Sequence, residues 1–213
     1  MKPARILLAD DHSIVTAGVR SLIEQEWELI GEVADGRSLV EASLKLRPDL
    51  IIADIGMPIL NGIDAAAQIR KVWPEVKILF LTMHANLMYL KAVMRAGASG
   101  YVLKTNATEE LQPAIRNALK GQPYISAVFG QDVLYTLHTP SGRQVSSPVL
   151  LTDRQRQVLQ LVAEDRKNEE IAAILNVSIK TAQFHRSQIM RKLGVHSAVK
   201  LTQYAVREGL INE

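Results

Sequence analysis

The sequence predicts a doubly wound α/β domain with a five-stranded parallel sheet, followed by a small all-α domain of four helices. Through residue 120, short apolar runs alternate with stretches of helical periodicity, as in a parallel sheet covered by helices on both faces. From Thr152 onward no strand pattern remains, and four helical segments follow one another. The charge is divided in the same place. Residues 1–120 carry 14 basic and 14 acidic side chains, whereas residues 151–213 carry 10 basic and 7 acidic ones, so the net +3 lies in the last part. A basic terminal module points to nucleic acid as its partner.

The strands are read from ARILLAD (4–10), ELIGEVA (28–34), DLIIAD (49–54), KILFLT (77–82) and GYVLK (100–104). Helical patterns fill 13–26, 36–47, 62–72, 86–96 and 108–120. Pro48 and Pro74 fall in connections, where proline is tolerated, and Gly97 and Gly100 separate the fourth helix from the fifth strand. Residues 121–150 are rich in Gly, Pro and Ser and read as a linker, with GQDVLYTL (130–137) as a short helix inside it. Thr152, Asn168, Ser178 and Ser197 are the expected N-caps of the four later helices. The expected domains are therefore 1–120 and 151–213, joined by 121–150.

Composition narrows the class. Hydrophobic residues make up 47% and charged ones 22%, ordinary values for a globular chain. No apolar run approaches the ~20 residues of a membrane span. The apolar run at the N-terminus, Ile6 to Ala9, is too short and too quickly charged for a signal peptide. With no cysteine, disulfides and thiolate metal sites are excluded, which fits a reducing cytosol. A cytoplasmic protein with no membrane partner is expected.

In an open parallel sheet, ligands bind at the carboxyl ends of the strands. Asp10 and Asp11 follow the first strand, and Asp54 follows the third. If those strands are neighbours, three carboxylates converge, and their repulsion calls for a cation. An all-oxygen donor set suits Mg²⁺, which readily shares phosphate oxygens. Thr82 and Lys104 end the fourth and fifth strands at the same edge, where a hydroxyl and an ammonium would meet the oxygens of a phosphoryl group. The five histidines show no metal spacing.

ADD (9–11), DIGMPILNG (54–62), LT (81–82) and AGASGYVLK (96–104) together closely resemble the receiver domain of bacterial response regulators. The resemblance spans residues 1–120 and implies a flavodoxin-like fold. It also implies that Asp54 accepts a phosphoryl group from a sensor histidine kinase. Mg²⁺ would be held by Asp11, Asp54 and the Gly56 carbonyl, with Asp10 acting through water. Thr82 and Tyr101 resemble the family's switch pair. Thr105 stands where many receivers have proline after the lysine. A Mg²⁺-dependent phosphohydrolase, the enzyme alternative, typically has an acid two residues after its nucleophile; here that residue is Gly56. No enzymatic function is expected.

SIKTAQFHRSQIMRKLG (178–194) contains four Lys/Arg and no acid. At 100° per residue Ala182, Ile189 and Leu193 form a buried stripe, while Lys180, Phe184, Ser187 and Arg191 lie opposite, flanked by Gln183. With the short helix of EEIAAILNVS before it, this is a helix-turn-helix arrangement. The run from 151 to 211 strongly resembles the LuxR-type DNA-binding domain, and the whole chain resembles a NarL/FixJ-type response regulator. Departures include Asp165, where the family usually has glycine, and Ala182 in place of a common valine. The expected contacts to double-stranded DNA come from Lys180, Thr181, Gln183, Phe184, Ser187, Arg191 and Lys192. Gln183, Phe184 and Ser187 are assigned to bases; Lys180, Arg191 and Lys192 are assigned to phosphates. A homodimer on phosphorylation is expected, with Val199, Tyr204 and Val206 as candidate contacts and RNA polymerase as a candidate further partner. The alternative is a DNA-binding regulator whose receiver is a dimerisation platform independent of phosphate.

Overall fold

The computed structural model describes residues 2–130 and 151–211. The strands are β1 (Arg5–Ala9), β2 (Glu28–Val33), β3 (Leu50–Ala53), β4 (Ile78–Thr82) and β5 (Gly100–Leu103), alternating with α1 (Ser13–Ile23), α2 (Gly36–Leu46), α3 (Gly62–Val72), α4 (Leu87–Arg95) and α5 (Ala107–Leu119). All pairings are parallel.

Period-two alternation sends the strand side chains to two separate cores. Leu7, Ile51, Phe80 and Tyr101 pack on one face with residues of α2, α3 and α4. Ile6, Leu8, Ile52, Leu81 and Val102 pack on the other with α1 and α5. Both faces of the central strands are covered, which is why they read as continuous apolar runs.

The sheet has six strands rather than the five expected, in the order β2-β1-β3-β4-β5-β6. β6 is Tyr124–Ile125, inside the stretch read as linker, and it pairs with Gly100 and Tyr101 of β5. Two residues are too few to show a period. Gly100 makes room for the pairing, since a Cβ there would stand 2.8 Å from the Tyr124 carbonyl oxygen. A short 3-10 turn, Ala127–Phe129, follows. The expected helix at 130–137 lies outside the described residues, apart from Gly130.

The second domain consists of α6 (Asp153–Ala163), α7 (Asn168–Leu175), α8 (Ile179–Leu193) and α9 (Ala198–Arg207) around a core that includes Val158, Leu161, Ile171, Ala182, Ile189 and Leu201. Thr152, Ser178 and Ser197 cap their helices as expected. Asn168 does not: it is the first residue of α7, the cap position is Lys167, and Glu170 reaches back to the Lys167 N–H at 2.8 Å. Asp165 adopts φ +60, the left-handed conformation for which glycine is the usual residue and which Asp tolerates. Asn176, also left-handed, makes the turn between α7 and α8. α6 lies against the receiver at the loop that follows β3.

Candidate functional site

The parallel register fixes the acid pocket. β1 and β3 are neighbours, and Ala9 is level with Ala53, so Asp10 and Asp54 leave the sheet at the same depth. Both are buried, whereas Asp11 is exposed. The loop after Asp54 folds back closely: Gly62 N–H donates to the Ile55 carbonyl, and a Cβ on Gly62 would stand 2.0 Å from the Asp54 carbonyl oxygen. Only glycine fits there, which accounts for the Asn61-Gly62 pair.

Lys104, one residue beyond β5, places its ammonium 2.8 Å from Asp54 Oδ2 and 3.0 Å from Asp10 Oδ1. Its side chain is 3% exposed. Burial alone would push this ammonium down, but the Asp54 and Asp10 charges and hydrogen bonds outweigh it and raise its pKa. Asp54 Oδ1 accepts the Ile55 N–H at 2.6 Å. Asp10 Oδ2 is 2.8 Å from the ammonium yet receives no well-directed hydrogen bond, so the pairing is of charge and leaves an acceptor free. Thr82 is fully buried, and its Oγ1 accepts the His84 N–H at 3.3 Å. Tyr101 is turned inward and fully buried, donating to the His84 carbonyl at 2.5 Å; burial pushes its phenol pKa up.

One member of this cluster was not foreseen. His12 Nδ1 lies 2.9 Å from Asp11 Oδ1, 3.3 Å from Asp10 Oδ1 and 3.9 Å from Asp54 Oδ2. Asp10, Asp11, His12 and Asp54 offer ligand atoms within 4.8 Å of one another. The available signal was adjacency to the acid pair rather than the metal spacing sought. The carboxylate-rich donor set and the free acceptor on Asp10 fit a hard divalent cation such as Mg²⁺.

In the second domain, Ala182 and Ile189 of α8 face the core. Lys180, Gln183, Phe184, Ser187 and Arg191 are exposed on the remaining surface, Phe184 at 58%. Three predicted DNA contacts are engaged within the domain, among them Arg191, whose guanidinium donates to Gln188 Oε1 at 2.5 Å. Thr181 bonds the capping Ser178 through its hydroxyl (2.8 Å) and its N–H (3.1 Å), and Lys192 Nζ donates to Gln155 Oε1 at 2.9 Å.

Comparison with known proteins matches this division. Residues 6–116 match the response regulator receiver domain, and residues 149–205 match the bacterial regulatory proteins of the luxR family. The chain belongs to the response regulators that carry a LuxR-type DNA-binding domain. It is 33% identical to the oxygen regulatory protein NreC of Staphylococcus aureus over 97% of this chain and 99% of that protein. Among solved structures it resembles the Salmonella typhimurium response regulator RcsB, with 32% identity, a TM-score of 0.63 and coverage of 98% and 99% of the two chains. It also resembles RcsB bound to promoter P1flhDC in the presence of the phosphomimetic BeF3⁻, with 30% identity, a TM-score of 0.58 and coverage of 95% and 98%. Among the described residues of this response regulator, no helix is long and apolar enough to cross a membrane.

Proposed function

We propose that Asp54 is the phosphoacceptor of this response regulator and that its modification controls DNA binding by α8. The supporting observation is the buried convergence of Asp10, Asp54 and Lys104 at the carboxyl edge of the sheet. Asp10, Asp11, Asp54 and the Gly56 carbonyl would hold Mg²⁺. Bound there, the ion would neutralise charge between the carboxylate and the incoming phosphoryl group. A carboxylate oxygen of Asp54 attacks phosphorus, and the bond from phosphorus to the kinase's histidine nitrogen breaks, its electron pair returning to that nitrogen. Asp54 becomes an acyl phosphate. A carboxylate is a weak nucleophile, so positioning and electrostatics must supply most of the rate. Lys104 is already held at the carboxylate, ready to pair with a phosphoryl oxygen, and the Thr82 hydroxyl can turn from His84 toward it.

On this reading the domains are 1–120, extended by β6, and 151–213, the chain acts in the cytoplasm, and its partners are a sensor histidine kinase and double-stranded DNA. Lys180, Gln183, Phe184, Ser187 and Arg191 form the reading surface, with Thr181 and Lys192 in supporting positions. One helix-turn-helix reads few base pairs, so a phosphorylation-favoured homodimer would bind two half-sites about one helical turn apart. Intact mass measurement after incubation with acetyl phosphate and Mg²⁺ tests the site. The wild-type chain gains one phosphate and Asp54→Asn gains none; equal gain by both would overturn the assignment.

A further inference from the structure

The loop between Asp54 and α3 leaves part of its backbone to partners outside the receiver. Met57 C=O accepts from Gln160 Nε2 at 3.0 Å, and Asn61 N–H donates to Gln160 Oε1 at 2.8 Å. Ile59 N–H donates to Glu164 Oε1 at 3.0 Å. Gln160 and Glu164 belong to the DNA-binding domain, about a hundred residues away in sequence. Gln160 is fully buried, and its amide is fully used: Nε2 also donates to Glu164 at 2.8 Å, and Oε1 also accepts from Asn61 Nδ2 at 3.2 Å. Arg156 extends the contact by pairing with Asp64 at 2.9 Å, and Lys71 pairs with Asp153.

These bonds hold the segment that begins at Asp54, not a neutral patch of surface. Between the clamped points Ile59 sits at φ +68, a conformation that a β-branched residue disfavours. Such strain persists only while surrounding contacts enforce it, and the bonds from Gln160 and Glu164 are among those contacts. A second contact touches the switch residues. Gly209, just past α9, lies so close to Tyr89 that a Cβ would stand 2.2 Å from its ring. Tyr89 stacks on His84, which follows Thr82 closely and accepts from Tyr101. The exposed positions on α8 show that this docking leaves the reading face uncovered. Its structural consequence falls on the phosphoacceptor loop.

We propose that Gln160 is a positioning residue for the chemistry at Asp54: the docked DNA-binding domain clamps the 55–61 loop through it and slows phosphorylation. This rests on Asp54 being the acceptor. Phosphorylation replaces the Asp54–Lys104 pair with a larger anion, and the Gly56 carbonyl that would hold Mg²⁺ is next to the clamped Met57. The loop must adjust while Gln160 opposes the adjustment. By linkage, loosening the clamp favours phosphorylation to the extent that phosphorylation loosens the clamp.

The test is the rate of phosphate gain by the full chain with acetyl phosphate and Mg²⁺, followed by intact mass. Gln160→Ala should accelerate it roughly three- to tenfold, the effect of removing about one net buried hydrogen bond. Gln157→Ala, a change elsewhere on α6, should leave it unchanged. Because the chain has no cysteine, Lys71→Cys and Asp153→Cys can be joined by a short bismaleimide. The joined protein should react more slowly than the same variant unjoined, a difference that impaired folding cannot produce. Equal rates in Gln160→Ala and wild type, a slower Gln160→Ala, or indifference to joining would each overturn the clamp. Equal phosphate gain by Asp54→Asn would instead overturn the acceptor assignment, and the clamp with it.

Discussion

The acid pocket and the α8 surface are both charged, yet they are built on opposite plans. In the pocket, Asp10, Asp54 and Lys104 are buried and paired with one another, so each geometry depends on the other two. On α8, Lys180, Gln183, Phe184 and Ser187 are exposed and mounted on a helix that packs on its domain through an apolar stripe. A pocket of the first kind suits chemistry, because its charges are positioned before the reaction. A surface of the second kind suits recognition, because its side chains can adapt to bases and phosphates.

The contrast can be broken most severely at Lys104. Lys104→Ala leaves two buried carboxylates unpaired and should abolish phosphorylation. It should also cost stability near the low end of the ~3–5 kcal/mol range for a broken buried pair, since exposed Asp11 shows that solvent reaches the pocket. Urea unfolding checks this, and added Mg²⁺ should recover part of the loss. Substitutions on α8 should leave stability nearly unchanged and act on DNA alone. Gln183→Ala should relax preference at one base position, at roughly 1–3 kcal/mol if the contact is bidentate. Lys180→Ala should weaken all sequences alike and lower the salt slope by about one unit in binding titrations. Should Gln183→Ala weaken every sequence equally, the orientation of α8 on DNA would be wrong.

The smallest effect lies between the two regions. Burial raises the Glu164 carboxyl above its ordinary pKa, partly offset by its hydrogen bonds from Gln160 and Ile59 and by Arg166. The docked state therefore binds this proton more tightly than the unfolded chain. Its contribution is fully present below the ordinary pKa and is lost as pH rises through the raised one. Urea midpoints between about pH 4 and 7 should show this slope, and Glu164→Gln should flatten it.

Legibility in the sequence followed the same physics. Asp10, Asp54, Thr82 and Lys104 could be brought together on paper because strand ends in a parallel sheet share an edge, and the register then sets their depth. His12 could not, because a loop ring is oriented by local turns that no period reports. β6 was too short to show a pattern. Asn168 looked like a cap, but the helix begins one residue earlier than its polar side chain implied. Gln160 was the least visible. It sits between Leu159 and Leu161 on a helix whose other buried residues are mostly apolar, and its partners lie in another domain. Contacts between domains depend on how two finished surfaces meet, and local periodicity carries no trace of that. Glu164, at the end of the same helix, was hidden for the same reason.

If chemistry in the buried pocket governs the exposed surface, phosphorylation of Asp54 must change the affinity for DNA. The most direct measurement is DNA affinity at fixed salt for wild type and Asp54→Asn, each with and without acetyl phosphate and Mg²⁺. Affinity should rise for treated wild type and stay unchanged for treated Asp54→Asn. Thr82→Ala, carried alongside, should take up phosphate but lose most of that gain. Equal affinity of treated and untreated wild type, at full phosphate occupancy, would rule out control of DNA binding by Asp54 and favour a receiver that serves as a phosphate-independent platform.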